Sequence, residues 1–80
     1  MQSEIARIRE QAEADLATVT TQQQLEEFRI RYLARKGLIA SLFDQLKAAP
    51  ASEKPSLGKL LNELREHTQS LFDQRLTSLT

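Results

Sequence analysis

Arg29, Arg31, Arg35 and Lys36 put four bases into eight residues, and Lys47, Lys54 and Lys59 carry the run on past a proline. Guanidinium and ammonium groups at this density suit one kind of chemistry, the neutralising and hydrogen-bonding of phosphates. On a continuous helix Arg29 and Lys36 share a face while Arg31 and Arg35 make a second row, and two such rows could grip phosphates on either side of a backbone. They are equally suited to being ordinary solvent charges, partly neutralised by Glu26 and Glu27 one turn earlier. Residues 1–27 hold six acids and two bases (−4), residues 28–60 two acids and seven bases (+5), and residues 61–80 three acids and two bases (−1), so the chain is neutral overall. A field divided in this way can orient a polyanion without making the whole protein basic.

Other chemistry is poorly provided for. Ser41, Ser56 and Ser70 lie outside any G-x-S-x-G turn, and two separated glycines cannot make a phosphate loop. Acids on helices are far more often solvent-facing or paired than acid and base of a reaction. With no cysteine there is neither a disulfide framework nor a thiolate metal site, and one histidine cannot assemble a metal cluster. His67 falls beside Leu60, Leu64 and Leu71 as a packing residue, and Tyr32 as a core aromatic whose hydroxyl reaches the edge. The segment is therefore expected to carry no catalytic residue, metal site or cofactor of its own.

The elements that must position the bases are helices. Leu25, Phe28, Tyr32, Arg35, Ile39, Leu42 and Leu46 form a 3-4-3-4 seam, apolar or aromatic at every position but Arg35, and a seam of this period asks for a long partner helix. Upstream, Ile5, Ile8, Ala12, Leu16 and Val19 make a narrow face on a first helix over 3–18, with Ser3 as N-cap and Glu4 in the first turn. Thr21 and Gln24 match a capping box, so a second helix begins at Gln22. At Gly37 two readings compete: a helix end with Gly37 just beyond it, or a helix running through at a cost of about 1 kcal/mol. The unbroken phase from Tyr32 to Ile39 favours helix on both sides with a local distortion, over 22–47. Pro50 closes it, Ser52 caps the last helix over 53–79, and Pro55 is tolerated in its first turn.

The fold expected is all-α, an elongated antiparallel helical hairpin, coiled-coil-like, with a short additional N-terminal helix. The wide stripe Leu57, Leu60, Leu61, Leu64, Thr68, Leu71, Phe72, Leu76 and Leu79 should meet the second helix along its length and the first near its own C-terminal end. Leu33, Leu38, Phe43, Phe72 and Leu76 lie off the seam, so either the first helix covers part of them or two chains pair. An 80-residue chain buries only roughly 60% of its unfolded surface, so stability is expected to be modest. No apolar run approaches the roughly 20 residues of a membrane span and no signal-peptide core opens the chain, which leads to a soluble, cytoplasmic protein. The helical pattern at Leu76–Leu79 meets no proline or glycine stop, as in a segment of a longer protein.

Two linked motifs carry a resemblance. Leu25, Arg29, Tyr32, Leu33, Lys36, Gly37 and Ile39 fit L-x-x-x-R-x-x-Y-L-G-K-K-G-x-[LI], and Pro50, Glu53, Lys54, Pro55, Gly58, Leu61 and Asn62 fit a proline-marked break followed by G-x-x-[IL]-N. Residues 25–75 so resemble the N-terminal helical, tRNA-binding region of the bacterial phenylalanyl-tRNA synthetase α subunit. Ala34 replaces the first glycine, which should make this region more helical, and Arg35 replaces a lysine, a planar fork for a point charge. The resemblance implies an arm, residues 1–80, of a class II aminoacyl-tRNA synthetase that uses ATP and Mg²⁺. It also implies tRNA and a β subunit in an (αβ)2 heterotetramer as partners, with the catalytic domain beyond residue 80. Together with the basic run, it makes Arg29, Arg31, Arg35, Lys36, Lys47, Lys54 and Lys59 the expected RNA-binding residues. A second function fits the residues alone: a helical interaction module that dimerises or docks through its apolar stripes. Salt separates the two, because phosphate contacts release counterions and apolar interfaces do not.

Overall fold

The computed structural model describes residues 2–79, and all regular structure among them is helical. Helix α1 spans Gln2–Ala17 and buries Ile5, Ile8, Ala12 and Leu16. Ser3, expected as its N-cap, lies inside its first turn, because the helix already includes Gln2. The chain leaves α1 through the Thr18 hydroxyl and the Val19 N–H, which donate to the carbonyls of Asp15 (2.7 Å) and Leu16 (3.1 Å). Val19 itself is buried, pinning the connection to the core.

Helix α2, Gln22–Tyr32, opens on the capping box read from sequence. The Gln24 N–H donates to the Thr21 hydroxyl (3.1 Å), while the Gln24 side-chain carbonyl accepts the N–H groups of Thr20 (2.8 Å) and Thr21 (3.3 Å). Donors that a helix start leaves without partners are thereby satisfied within five residues.

The helix expected over 22–47 is two helices. Helix α2 stops at Tyr32, and α3 occupies Leu38–Leu46 with Gly37 as its N-cap residue. Gly37 takes neither expected role: its φ of −76° and ψ of 175° are extended, and no residue among those described has positive φ. Hydrogen bonds explain the break. The N–H groups of Leu33 (2.7 Å) and Ala34 (2.9 Å) both converge on the Arg29 carbonyl, a turn wider than the α-helix allows. The Gly37 N–H then closes a tight turn on the Ala34 carbonyl (2.8 Å), and the Gly37 carbonyl accepts from Ser41 (3.1 Å) to start α3. Ala34 therefore does not extend the helix, since its own N–H and carbonyl are engaged in the turn. Five residues of break still return Ile39 to the buried side, which is why the apolar phase survives and conceals the interruption.

Between α3 and α4 the Pro50 carbonyl accepts from Glu53 (2.9 Å) and Lys54 (3.1 Å). Helix α4 follows over Lys54–Leu79 and buries Leu57, Leu61, Leu64, Thr68 and Phe72. The Ser52 side chain, expected as the cap, has no hydrogen-bond partner among the described residues; the Pro50 carbonyl organises the first turn instead. Twenty-six residues of α4 span roughly 39 Å at 1.5 Å per residue, which sets the long dimension of a molecule measuring 43 × 18 × 17 Å.

Helix α3 runs antiparallel to α4: Leu46 lies by Gly58, and the Arg65 guanidinium sits 5.9 Å from the Phe43 ring centre. Helix α1 runs parallel to α4, and not against its C-terminal end as expected. Gln2 and Ser3 lie beside Ser52 and Ser56, Ile5 beside Leu60, and Glu13 beside His67. The reason is connectivity: a short turn reverses the chain after α1, another reverses it after α3, and two reversals restore the original direction. Leu33, Leu38 and Phe43 pack half-buried against the core, Phe72 is buried, and Leu76 remains 40% exposed.

Candidate nucleic-acid interface

The seven candidate cations divide into three settings. Arg29 and Arg31 lie two residues apart on α2, about 200° around the axis, and so flank its buried stripe on opposite sides. Arg29 is forked onto Glu26, with Nε 3.1 Å from Oε2. That bond holds the Glu26 carboxyl below its usual range and the guanidinium above its own. Arg31 turns the other way, towards α1, with a guanidinium nitrogen 3.5 Å from the Asp15 carboxylate.

Arg35 and Lys36 ride on the outside of the 33–37 turn, exposed, and without an ion pair among the described residues. The turn is fixed from beneath. Gly37 is buried, and a Cβ on it would stand 2.9 Å from the Tyr32 carbonyl carbon and 3.0 Å from the carbonyl oxygens of both Arg31 and Ala34. Only a glycine permits that approach. The break also regroups the cations: Lys36 lines one hollow together with Arg31, not with Arg29 as a continuous helix would have it.

Lys47, Lys54 and Lys59 lie at the other end of α3 and the start of α4. Lys47 pairs with Asp44 at 3.6 Å, a contact so exposed (82% and 76%) that it contributes little. Lys54 and Lys59 are exposed and have no ion pair among the described residues; Lys59 projects opposite the buried Leu57 and Leu61.

Sequence reasoning missed the acids that meet this cluster. Tyr32 is fully buried, its ring 4.8 Å from that of Phe28, and its hydroxyl donates to the Asp15 carboxylate. Burial first, and then the Asp15 bond, push the phenol up to about 12. Asp15 thus receives both Tyr32 and Arg31. Glu13, two residues earlier and so on another side of α1, lies 2.7 Å from His67 Nε2, a bond that ties α1 to α4 and holds the Glu13 carboxyl below its usual range. The signal was present in the charge split, since an acidic front and a basic middle attract one another when folded side by side. The hollow around His67 is lined by no serine, threonine or cysteine that could act as a nucleophile. No group of three or more His, Asp or Glu side chains among the described residues is placed to hold a metal ion, and no helix there is long and apolar enough to cross a membrane.

Residues 20–80 match the family of aminoacyl tRNA synthetase class II N-terminal domains. The chain belongs to this family. Among its relatives is the phenylalanine–tRNA ligase alpha subunit of Desulfotalea psychrophila, 38% identical over all 80 residues and 24% of that relative's length. The Thermotoga maritima protein of the same name is 41% identical over 70 residues, covering 88% of this chain and 22% of the relative. That of Pelodictyon phaeoclathratiforme reaches 56% over 48 residues, 60% of this chain and 14% of the relative. The chain thus spans about a quarter or less of the relatives it matches. As a member of this family it is a helical N-terminal domain whose candidate cations sit on α2, on the turn that follows it and at the hairpin tip.

Proposed function

We propose that this domain is the tRNA-binding arm of a phenylalanine–tRNA ligase α subunit, positioning tRNA for aminoacylation with phenylalanine in a cytoplasmic (αβ)2 enzyme. The observation that carries the reading is the turn at 33–37, which holds Arg35 and Lys36 outward, exposed and without acid partners, in a chain whose net charge is zero. Lys54 and Lys59 add two further unpaired cations, and Lys47 one that is weakly paired. Arg29 and Arg31 are held by Glu26 and Asp15, so they serve as secondary contacts that a phosphate must share with a carboxylate.

The mechanism is positional. Cations spread along a rod 43 Å long can meet phosphates and riboses along a short stretch of an RNA helix, reading shape and not bases. ATP and Mg²⁺ supply the activation chemistry in such ligases, but the residues of this chain do not fit them: its acids are dispersed or paired with bases and its glycines are isolated. Amino-acid activation then belongs to the rest of the enzyme. Arg35→Ala/Lys36→Ala in the full-length enzyme is expected to raise KM for tRNA while phenylalanine-dependent pyrophosphate exchange, which needs no tRNA, stays at wild type. Loss of exchange with an unchanged KM for tRNA would place these residues in fold or subunit packing and end the arm reading.

A further inference from the structure

Ile30 is 54% exposed, the most exposed large apolar side chain among those described, although it sits between two charged neighbours on a polar helix. It lines an open hollow of about 630 Å³ together with Leu38 from α3, the cations Arg31 and Lys36, and the polar side chains Gln11 and Glu27. We propose that this hollow is a ribonucleotide subsite: a sugar and base edge pack on Ile30 and Leu38 while flanking phosphates meet Lys36 and Arg31. The subsite rests on the arm reading above and names where one nucleotide of the RNA is seated.

Charge and hydrogen-bond chemistry select this occupant. Two cations beside the apolar pair Ile30 and Leu38 match the alternation of phosphate and sugar along a single nucleic-acid backbone. Glu27 is an acceptor-only group that repels phosphate and takes a donor, and the donor on an RNA backbone is the ribose 2′-hydroxyl. The Gln11 amide, near the Tyr32 hydroxyl, offers both a donor and an acceptor in the same hollow. Orientation follows: phosphate lies towards Lys36 and the 2′-hydroxyl towards Glu27. Arg31 is shared with Asp15, so Lys36 is the stronger of the two phosphate contacts.

The test uses the full-length enzyme and tRNA, comparing Ile30→Ala with Lys36→Ala across a salt series and checking each variant's thermal transition. The two variants should fail differently. Ile30→Ala is expected to weaken tRNA binding about fivefold at every salt concentration, with an unchanged slope, because it removes apolar contact alone. Lys36→Ala is expected to flatten the slope by roughly one unit. If Lys36→Ala flattens the slope and Ile30→Ala binds as wild type, the subsite is wrong while the arm reading stands. If neither variant changes binding, both are wrong. If Ile30→Ala alters sedimentation or subunit assembly at unchanged tRNA affinity, the hollow docks protein and the ribonucleotide assignment is overturned.

Discussion

Replacing Gly37 by alanine and Gly58 by alanine should move stability in opposite directions. At Gly37 the new Cβ meets three backbone atoms at 2.9–3.0 Å, well inside the roughly 3.5 Å of a comfortable carbon contact, and none of them is a side chain that can swing away. Relief requires the 33–37 turn to open, which strains the packing above Tyr32 at about 1–3 kcal/mol and weakens the 2.8 Å bond from Gly37 to Ala34, worth about 1 kcal/mol. The loss of unfolded-chain freedom offsets about 0.4–1 kcal/mol, leaving a net destabilisation of about 2 kcal/mol. For a domain of this size that lowers Tm by roughly 8–16 °C. At Gly58, inside α4, the Cβ meets only the tip of Leu46 at an ordinary 3.7 Å, so helix propensity dominates and alanine should add up to about 1 kcal/mol. Thermal unfolding of both variants followed by far-UV circular dichroism reads the contrast. A Gly37→Ala protein as stable as wild type would mean that the turn is not held where described, and that Arg35 and Lys36 are not presented by it.

Three further outcomes concern the core and its ties to α1. Thr68 is fully buried with no hydrogen-bond partner for its hydroxyl among the described residues, so Thr68→Val should stabilise by about 1 kcal/mol in urea unfolding. Tyr32 has a folded pKa raised from 10.0 to about 12, so its contribution is present in full below pH 10.0 and is lost as pH rises towards 12. Tyr32→Phe should remove that part of the alkaline decline and cost about 1–2 kcal/mol at neutral pH. The Glu13 carboxyl lies below its usual 4.5, so its contribution is present above that pH and lost as pH falls through the lowered value. Glu13→Gln should make the acid limb of a stability-versus-pH curve shallower.

What could be read from the sequence was what is local or periodic. The Thr21–Gln24 box needs only four residues, and the seam from Leu25 to Leu42 is buried wherever it is apolar, with Arg35 exposed at its odd position. A disturbance at Gly37 was legible, but its length was not, because Tyr32 and Ile39 keep the same phase across it. It depends on paired hydrogen bonds to Arg29 and a close approach at Gly37, neither of which has a periodic signature. The docking direction of α1 depends on two chain reversals, and its ties, Asp15 to Tyr32 and Glu13 to His67, join residues 17 and 54 positions apart. The candidate site suffered from the same blindness. A continuous helix put Arg29 with Lys36, whereas the turn puts Arg31 there and leaves Arg29 with Glu26.

Whether this domain grips RNA through the cations of its central turn is answered by one comparison: tRNA affinity of the full-length enzyme against salt concentration, wild type beside Arg35→Ala/Lys36→Ala. Two lost phosphate contacts should flatten the plot of log affinity against log salt by between roughly one and two units, with the variants converging at high salt. Two parallel lines, or a single shared line, would contradict the account.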